Sequence, residues 1–246
     1  MGTQHDLATI IASSGFVEQL FDHIPDVVFF IKDLESHYRV VNTTLVERCG
    51  AGKKADLIGR TATEVFPAPL GERYLEQDRV VVRSATAITQ KLELHLYPSH
   101  LEGWCLTDKI PLIADDGRCC GAAGISRDLQ TPTYREDRSD DLGRAMELIR
   151  AEHIAPPSVG EIAAQVGLSA YQLNRRLKDL LGITARQLLI KTRIDTASRL
   201  LRTTDLPVSD VALQSGYFDQ SAFTRQFRRS AGLTPRQYRQ RHRRPG

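Results

Sequence analysis

Tyr171, Asn174, Arg175 and Lys178 stand close together in one stretch of the chain, and Gln220, Ser221 and Arg225 in another about 50 residues on. Amides and guanidinium groups are the side chains that pair two-pronged with base edges in the major groove, Asn or Gln with adenine and Arg with guanine. A lysine nearby supplies a charge for phosphate. One exposed Arg or Gln on a helix is ordinarily just solvated. A duplicated set on two corresponding segments points instead to base recognition.

The positioning elements can be read from the pattern around these residues. Val159, Ile162, Ala163 and Gly167 recur 49 residues later as Val208, Val211, Ala212 and Gly216. Leu173, Leu177, Gly182, Ile183, Thr184, Arg186 and Gln187 recur 50 later as Phe223, Phe227, Gly232, Leu233, Thr234, Arg236 and Gln237, so one residue is inserted at the turn. Each unit reads helix, glycine turn, helix, with an alanine where the two helices cross closely. Ser158–Glu161, Ser169–Gln172, Thr184–Gln187 and Thr234–Gln237 all have the capping-box form, and Pro235 follows the last at the first helical position. A helix from Ser169 that buries Leu173 and Leu177 turns Ala170, Tyr171, Asn174, Arg175 and Lys178 outward. A helix from Asp219 that buries Phe223 and Phe227 presents Gln220, Ser221, Thr224, Arg225, Arg228 and Arg229. The amphipathic segment Ala185–Arg202 is predicted to be one helix joining the units.

Charge supports the same division. Residues 1–140 carry 15 Lys and Arg against 21 Asp and Glu, whereas residues 141–246 carry 18 against 9. An acidic half joined to a basic one is expected when only one part meets a polyanion. The chain of 246 residues has room for two domains, and residues 131–140, polar and densely charged, read as the linker. No apolar run reaches the ~18 residues of a membrane helix, and the first residues lack a signal-peptide layout, so a cytoplasmic address without a membrane partner is expected. Cys49, Cys105, Cys119 and Cys120 fit no disulfide scaffold and have no metal-ligand spacing, so reduced thiols and no metal are expected.

The acidic half reads differently. Val27–Ile31, Tyr38–Val41, Ala87–Tyr97, Trp104–Ile113 and Cys120–Ile125 are β-like runs, the last two separated by the turn Ala114-Asp-Asp-Gly117. Helical patterns, Thr43–Cys49 and Pro69–Ser84, fall between the second and third. The fold class that follows is α+β: residues 15–130 as a five-stranded antiparallel sheet with helices on one side, joined to an all-α domain over residues 141–243. Its two helix-turn-helix units span about 159–181 and 208–231.

The basic half resembles the tandem DNA-binding domain of AraC-type bacterial transcription regulators. The resemblance runs through Ile162-Ala-Ala-Gln-Val-Gly-Leu-Ser169, Leu173-Asn-Arg-Arg-Leu177, Gly182-Ile-Thr184 and Arg193-Ile-Asp-Thr-Ala197-Ser-Arg-Leu-Leu201. It continues through Val211-Ala-Leu-Gln-Ser-Gly-Tyr217, Phe223-Thr-Arg-Gln-Phe227 and Gly232-Leu-Thr-Pro-Arg-Gln-Tyr238. It implies that Tyr171, Asn174 and Arg175 face the groove in the first unit and Gln220, Ser221 and Arg225 in the second, matching the outward positions above. It also implies double-stranded promoter DNA as a partner and activation through RNA polymerase.

The acidic half is similar to a PAS sensor domain through Val28-Phe-Phe-Ile-Lys-Asp33, Tyr38-Arg-Val-Val-Asn42, Leu57-Ile-Gly-Arg-Thr61, Glu64-Val-Phe66 and the strand Gly121–Asp128. That similarity implies a pocket for a small-molecule effector or a homodimer surface. A flavin-photosensing relative would carry an Asn-Cys-Arg-Phe-Leu-Gln-like run after Gly59-Arg60, where this chain has Thr-Ala-Thr-Glu-Val-Phe, so no flavin is expected. Haem-binding relatives draw a histidine from the long helix, and Pro69–Ser84 has none, with His95 and His100 elsewhere. No haem is expected. Nor does the spacing of Cys105, His95 and Asp108 suggest a catalytic set. The expected function is a DNA-binding transcription regulator controlled by a sensing or dimerising domain. The competing reading is a ligand-binding or enzymatic module whose DNA contacts are secondary.

Overall fold

The computed structural model describes residues 11, 15–97, 102–129, 141–151 and 157–243. The chain divides into two compact units, Met1–Asp128 and Leu129–Gly246. The expected linker, 131–140, and His100 lie outside the described residues.

In the first unit α1 (Gly15–Asp22) leads into β1 (Val27–Lys32) and β2 (Tyr38–Val41). Then come α2 (Thr43–Arg48), a 3-10 turn (Lys54–Asp56), α3 (Ala62–Val65) and the long α4 (Leu70–Ser84). Three longer strands close the unit: β3 (Ile88–Leu96), β4 (Glu102–Ile113) and β5 (Cys119–Asp128). All five strands form one antiparallel sheet in the order β2-β1-β5-β4-β3, so the last strand lies at the centre, paired with the first. Because side chains alternate along a strand, Val28 and Phe30 pack with Tyr38, Leu45, Val46 and Leu57 on one face. Phe29 and Ile31 pack with Val17 and Phe21 of α1 on the other, Phe21 stacking on Phe29 at 4.4 Å. The helix α1 was not apparent in the sequence and covers the face opposite α2.

Two residues set the fit of these layers. Asn42 is fully buried: its amide donates to Val27 O at 2.7 Å and Phe21 O at 3.1 Å, and its oxygen accepts from Phe29 N at 2.9 Å. It also caps α2 through Leu45 N, so one side chain ties α1, β1 and α2 together. Gly124 pairs with Phe30 across β5 and β1, and a Cβ there would come within 2.5 Å of the Phe30 ring. Only a glycine lets that ring lie across the sheet.

Among its described residues the second unit is helical: α5 (Asp141–Arg150), α6 (Val159–Gln165), α7 (Ala170–Leu181), α8 (Ala185–Thr203), α9 (Val208–Gln214), α10 (Gln220–Ala231) and α11 (Pro235–Arg243). All four anticipated capping boxes form; Ser169 Oγ, for instance, accepts from Gln172 N while Gln172 Oε1 accepts from Ser169 N. Gly167 and Gly216 turn the chain between paired helices at φ of 71° and 78°, a region L side chains avoid. The first unit closes over Ile162, Ala163, Leu173 and Leu177, all essentially without exposure. The second closes over Val211, Ala212 and an aromatic row, Tyr217–Phe223–Phe227–Tyr238, with centroids 5.3–5.6 Å apart. The joining helix α8 extends one residue past the predicted end, to Thr203.

Candidate nucleic-acid interface and sensor cavity

The reading helices α7 and α10 bury the same two positions, Leu173/Leu177 and Phe223/Phe227, at i and i+4. That spacing fixes the opposite stripe outward. Tyr171, Arg175 and Lys178 are exposed along α7, Tyr171 at 73%, and they fall at i, i+4 and i+7 on one side. Gln220, Ser221 and Arg225 are exposed along α10, followed by Arg228 and Arg229. Both helices are capped at the end that holds these residues, by Ser169 and by Asp219, whose carboxylate accepts from Ala222 N at 2.7 Å. The caps set where each helix begins, and hence which side chains lead.

Asn174 is placed differently from its expected neighbours. Its Nδ2 donates to Ala170 O at 2.9 Å and its Oδ1 accepts from Ala185 N at 3.0 Å, the first residue of α8. The amide nitrogen and the amide oxygen thus each make a hydrogen bond to backbone within the domain. Thr224, the repeat counterpart, is likewise half-buried. Phe218 was missed by sequence reasoning and is 83% exposed beside the α10 cap, at the turn where the second repeat carries its extra residue. That insertion was the available signal.

A separate constellation lies within the first unit, between the sheet and α4. A cavity lies there, open to solvent at its mouth. Phe30, Tyr38, Phe66, Tyr74 and Tyr97 form its apolar walls, and Lys32, Gln77, Glu93, His95, Thr107 and Lys109 its polar lining. Lys32 from β1 and Lys109 from β4 both reach Asp78 of α4, one on each carboxylate oxygen at 2.5 Å. Burial would raise the Asp78 pKa, but the two ammonium charges outweigh it and hold the carboxyl below its ordinary range. Burial is the largest influence on Lys32 and pushes its pKa down against the pull of Asp78. Glu93 behaves as Asp78 does: desolvation alone would raise it, yet the His95 contact and the charges of Arg73 and Lys91 hold it well below the carboxylate range.

His95, Cys105 and Asp108, whose spacing suggested no catalytic set, do not meet as one cluster. His95 Nδ1 meets Tyr97 OH at 3.0 Å, and Cys105 lies beyond that hydroxyl at 3.9 Å. Burial and the Asp128 carboxylate push the Cys105 thiol up, away from the thiolate a nucleophile needs. Asp108 points elsewhere, to Gln90. No disulfide joins the four cysteines. Among the described residues, no helix is long and apolar enough to cross a membrane.

Comparison with known proteins agrees with both geometries. Residues 162–241 match the family described as a helix-turn-helix domain, and residues 21–133 the family described as a PAS fold. The chain joins a PAS fold to an AraC-type helix-turn-helix domain. The transcriptional activator NphR of Rhodococcus sp is 38% identical over 110 residues, 44% of this chain and 32% of that protein. The HTH-type transcriptional activator RhaS of Klebsiella pneumoniae (strain 342) is 40% identical over 80 residues, 32% of this chain and 29% of that one. The chain thus spans about a third or less of the length of these relatives. A solved structure of the AdpA DNA-binding domain with a target DNA is 32% identical, with a TM-score of 0.41, covering 43% of this chain and 95% of that one. The match of the basic half to a helix-turn-helix family supports double-stranded DNA as its ligand.

Proposed function

We propose that the chain is a sequence-specific transcription regulator, acting as an activator, in which the PAS domain senses a small molecule and the AraC-type domain reads a promoter operator. The observation that carries this reading is the pair of corresponding exposed faces, Tyr171, Arg175 and Lys178 on α7 and Gln220, Ser221 and Arg225 on α10. The curated relatives named above as activators support the direction of regulation. RNA polymerase, a second copy of the chain and a cytoplasmic setting belong to the same proposal. Sensing is supported by the cavity, whose aromatic walls and few converging polar groups are typical of a small-molecule site. Haem is disfavoured because His95 has polar neighbours at both ring nitrogens: Tyr97 OH at Nδ1, and Thr107 Oγ1 at 3.4 Å and Glu93 at 3.6 Å from Nε2.

Gel shift and footprinting of the full chain at moderate salt test this reading. A protected stretch covering two adjacent major grooves on one DNA face is expected, about one helical turn (~34 Å) apart. The connecting helix α8 has 19 residues. At ~1.5 Å rise per residue that is about 28 Å, so lateral placement of the reading helices or a bend in the DNA supplies the remainder. A chain that binds an effector but shifts no DNA would support the module reading instead.

A further inference from the structure

The lining of the PAS cavity has an imbalance of charge, between β1, β4 and α4, and an imbalance of hydrogen bonds, between β3 and α4. Lys32 and Lys109 rise from the strands flanking β5, with side chains 2% and 5% exposed, and share the single carboxylate of Asp78, itself 1% exposed. Two buried ammonium groups against one carboxylate leave a formal excess of one positive charge. Ring faces offset part of its cost, Lys32 Nζ lying 4.1 Å from the Tyr38 centroid and 5.1 Å from Phe30. A buried charge left uncompensated is costly. Over on the edge strand β3, Glu93 is engaged through Oε1 by Arg73 and by Gln77 Nε2 at 3.0 Å. Its Oε2 meets His95 Nε2 at 3.6 Å, beyond hydrogen-bond distance, and Gln77 Oε1 and Tyr74 OH have no hydrogen-bond partner, although all three residues are more than nine-tenths buried. Two of these atoms are acceptors without a donor and the third is a hydroxyl able to serve either way.

We propose that this cavity takes a small aromatic acid that also carries a hydroxyl or amino group. Its anionic group would complete the Lys32–Asp78–Lys109 cluster, and its O–H or N–H would serve Glu93 Oε2 and Gln77 Oε1. The ring lies among Phe30, Phe66, Tyr74 and Tyr97. This inference rests on the sensing role proposed for the PAS domain and specifies the chemistry of what is sensed. Glu93 and Gln77 select for the donor, because an unsubstituted ring leaves Gln77 Oε1 unpaired and Glu93 Oε2 with only its long contact to His95. The lysine pair selects for the acid, because a neutral ligand leaves the excess charge in place.

Calorimetry on the full chain with 4-hydroxybenzoate, 4-aminobenzoate, benzoate and methyl 4-hydroxybenzoate tests both halves. The two substituted acids should bind about tenfold or more tighter than either benzoate or the ester, the scale of one hydrogen bond to a charged group. Lys109→Met leaves Lys32 and Asp78 as a balanced pair, so its melting temperature without ligand should be no lower than the parent's while the preference for acid over ester disappears. If the ester binds as tightly as the acid, the proposed class is wrong and sensing stands. If none of the four binds, the proposal falls, and a Lys109→Met variant that melts several degrees lower then shows the lysine to be structural. DNA binding measured on the same samples, with and without ligand, reports separately on whether occupancy of this domain regulates the chain.

Discussion

The side chain of Asn174 accepts a hydrogen bond from the backbone N–H of Ala185 at 3.0 Å, tying the first reading helix to the start of the helix that leads to the second. Thr184 caps that same helix through Gln187 N, so two side chains satisfy donors that a helix start otherwise leaves without partners. A residue typed by sequence for adenine thereby links α7 to the start of α8.

Asn174→Ala should therefore act on stability more than on base choice. A loss of about 1–2 kcal/mol is expected, the scale of a removed cap with a buried donor left behind. Urea unfolding measures it, and selection of binding sites from random DNA should return the parent's preferences. A changed preference at one adenine would show that the amide leaves Ala185 when DNA is bound.

Arg175→Ala and Arg225→Ala should each weaken specific binding by about 1–3 kcal/mol and relax base choice at positions about one helical turn apart. The two arginines stand on different helices, so the double variant should lose nearly the sum. Footprinting reads the outcome. If Arg225→Ala leaves both the protected length and the base preferences intact, the second unit is a prop and not a reader.

Lys178→Ala should weaken all DNA sequences about equally and reduce the slope of log affinity against log salt by about one, as loss of one phosphate contact does. Titrations at several salt concentrations decide this. A loss confined to one operator sequence would place Lys178 against a base.

Asp78→Asn should destabilise the PAS domain by about 3–5 kcal/mol near neutral pH, since it leaves two buried ammonium groups without an anion. The pH dependence has a definite sign. The folded carboxyl titrates below its ordinary value of 3.8, so on acidification the unfolded chain takes up a proton first. The stabilisation is complete above the unfolded value and is lost as pH falls through the lowered folded value. Melts of the parent should fall steeply in that acidic window, and the Asn variant should lack this component.

The helix-turn-helix units were legible in the sequence because each is built from local relations. Leu173 and Leu177 share a face at any i, i+4 spacing, Ser169 meets Gln172 within one turn, and Gly167 and Gly216 take a φ that few other residues tolerate. The repeat then doubled the apolar positions, the turn glycines and the Thr184 and Thr234 caps. Strand positions in the acidic half were legible for a similar reason, but their faces were not. Leu92, Leu94 and Leu96 alternate along β3 with Glu93 and His95, yet Leu94, Leu96, Glu93 and His95, from both faces, are buried. The placement of β5 between β1 and β4 brought Lys32, Asp78 and Lys109 together from 31 and 46 residues apart. Only the assembled sheet and α4 fix that meeting, because a charge on a strand carries no local mark of the partner it will find across a core. Asn174 shows the same limit within a helix: spacing put it on the outward stripe, and the packing of α8 against α7 turned its amide inward.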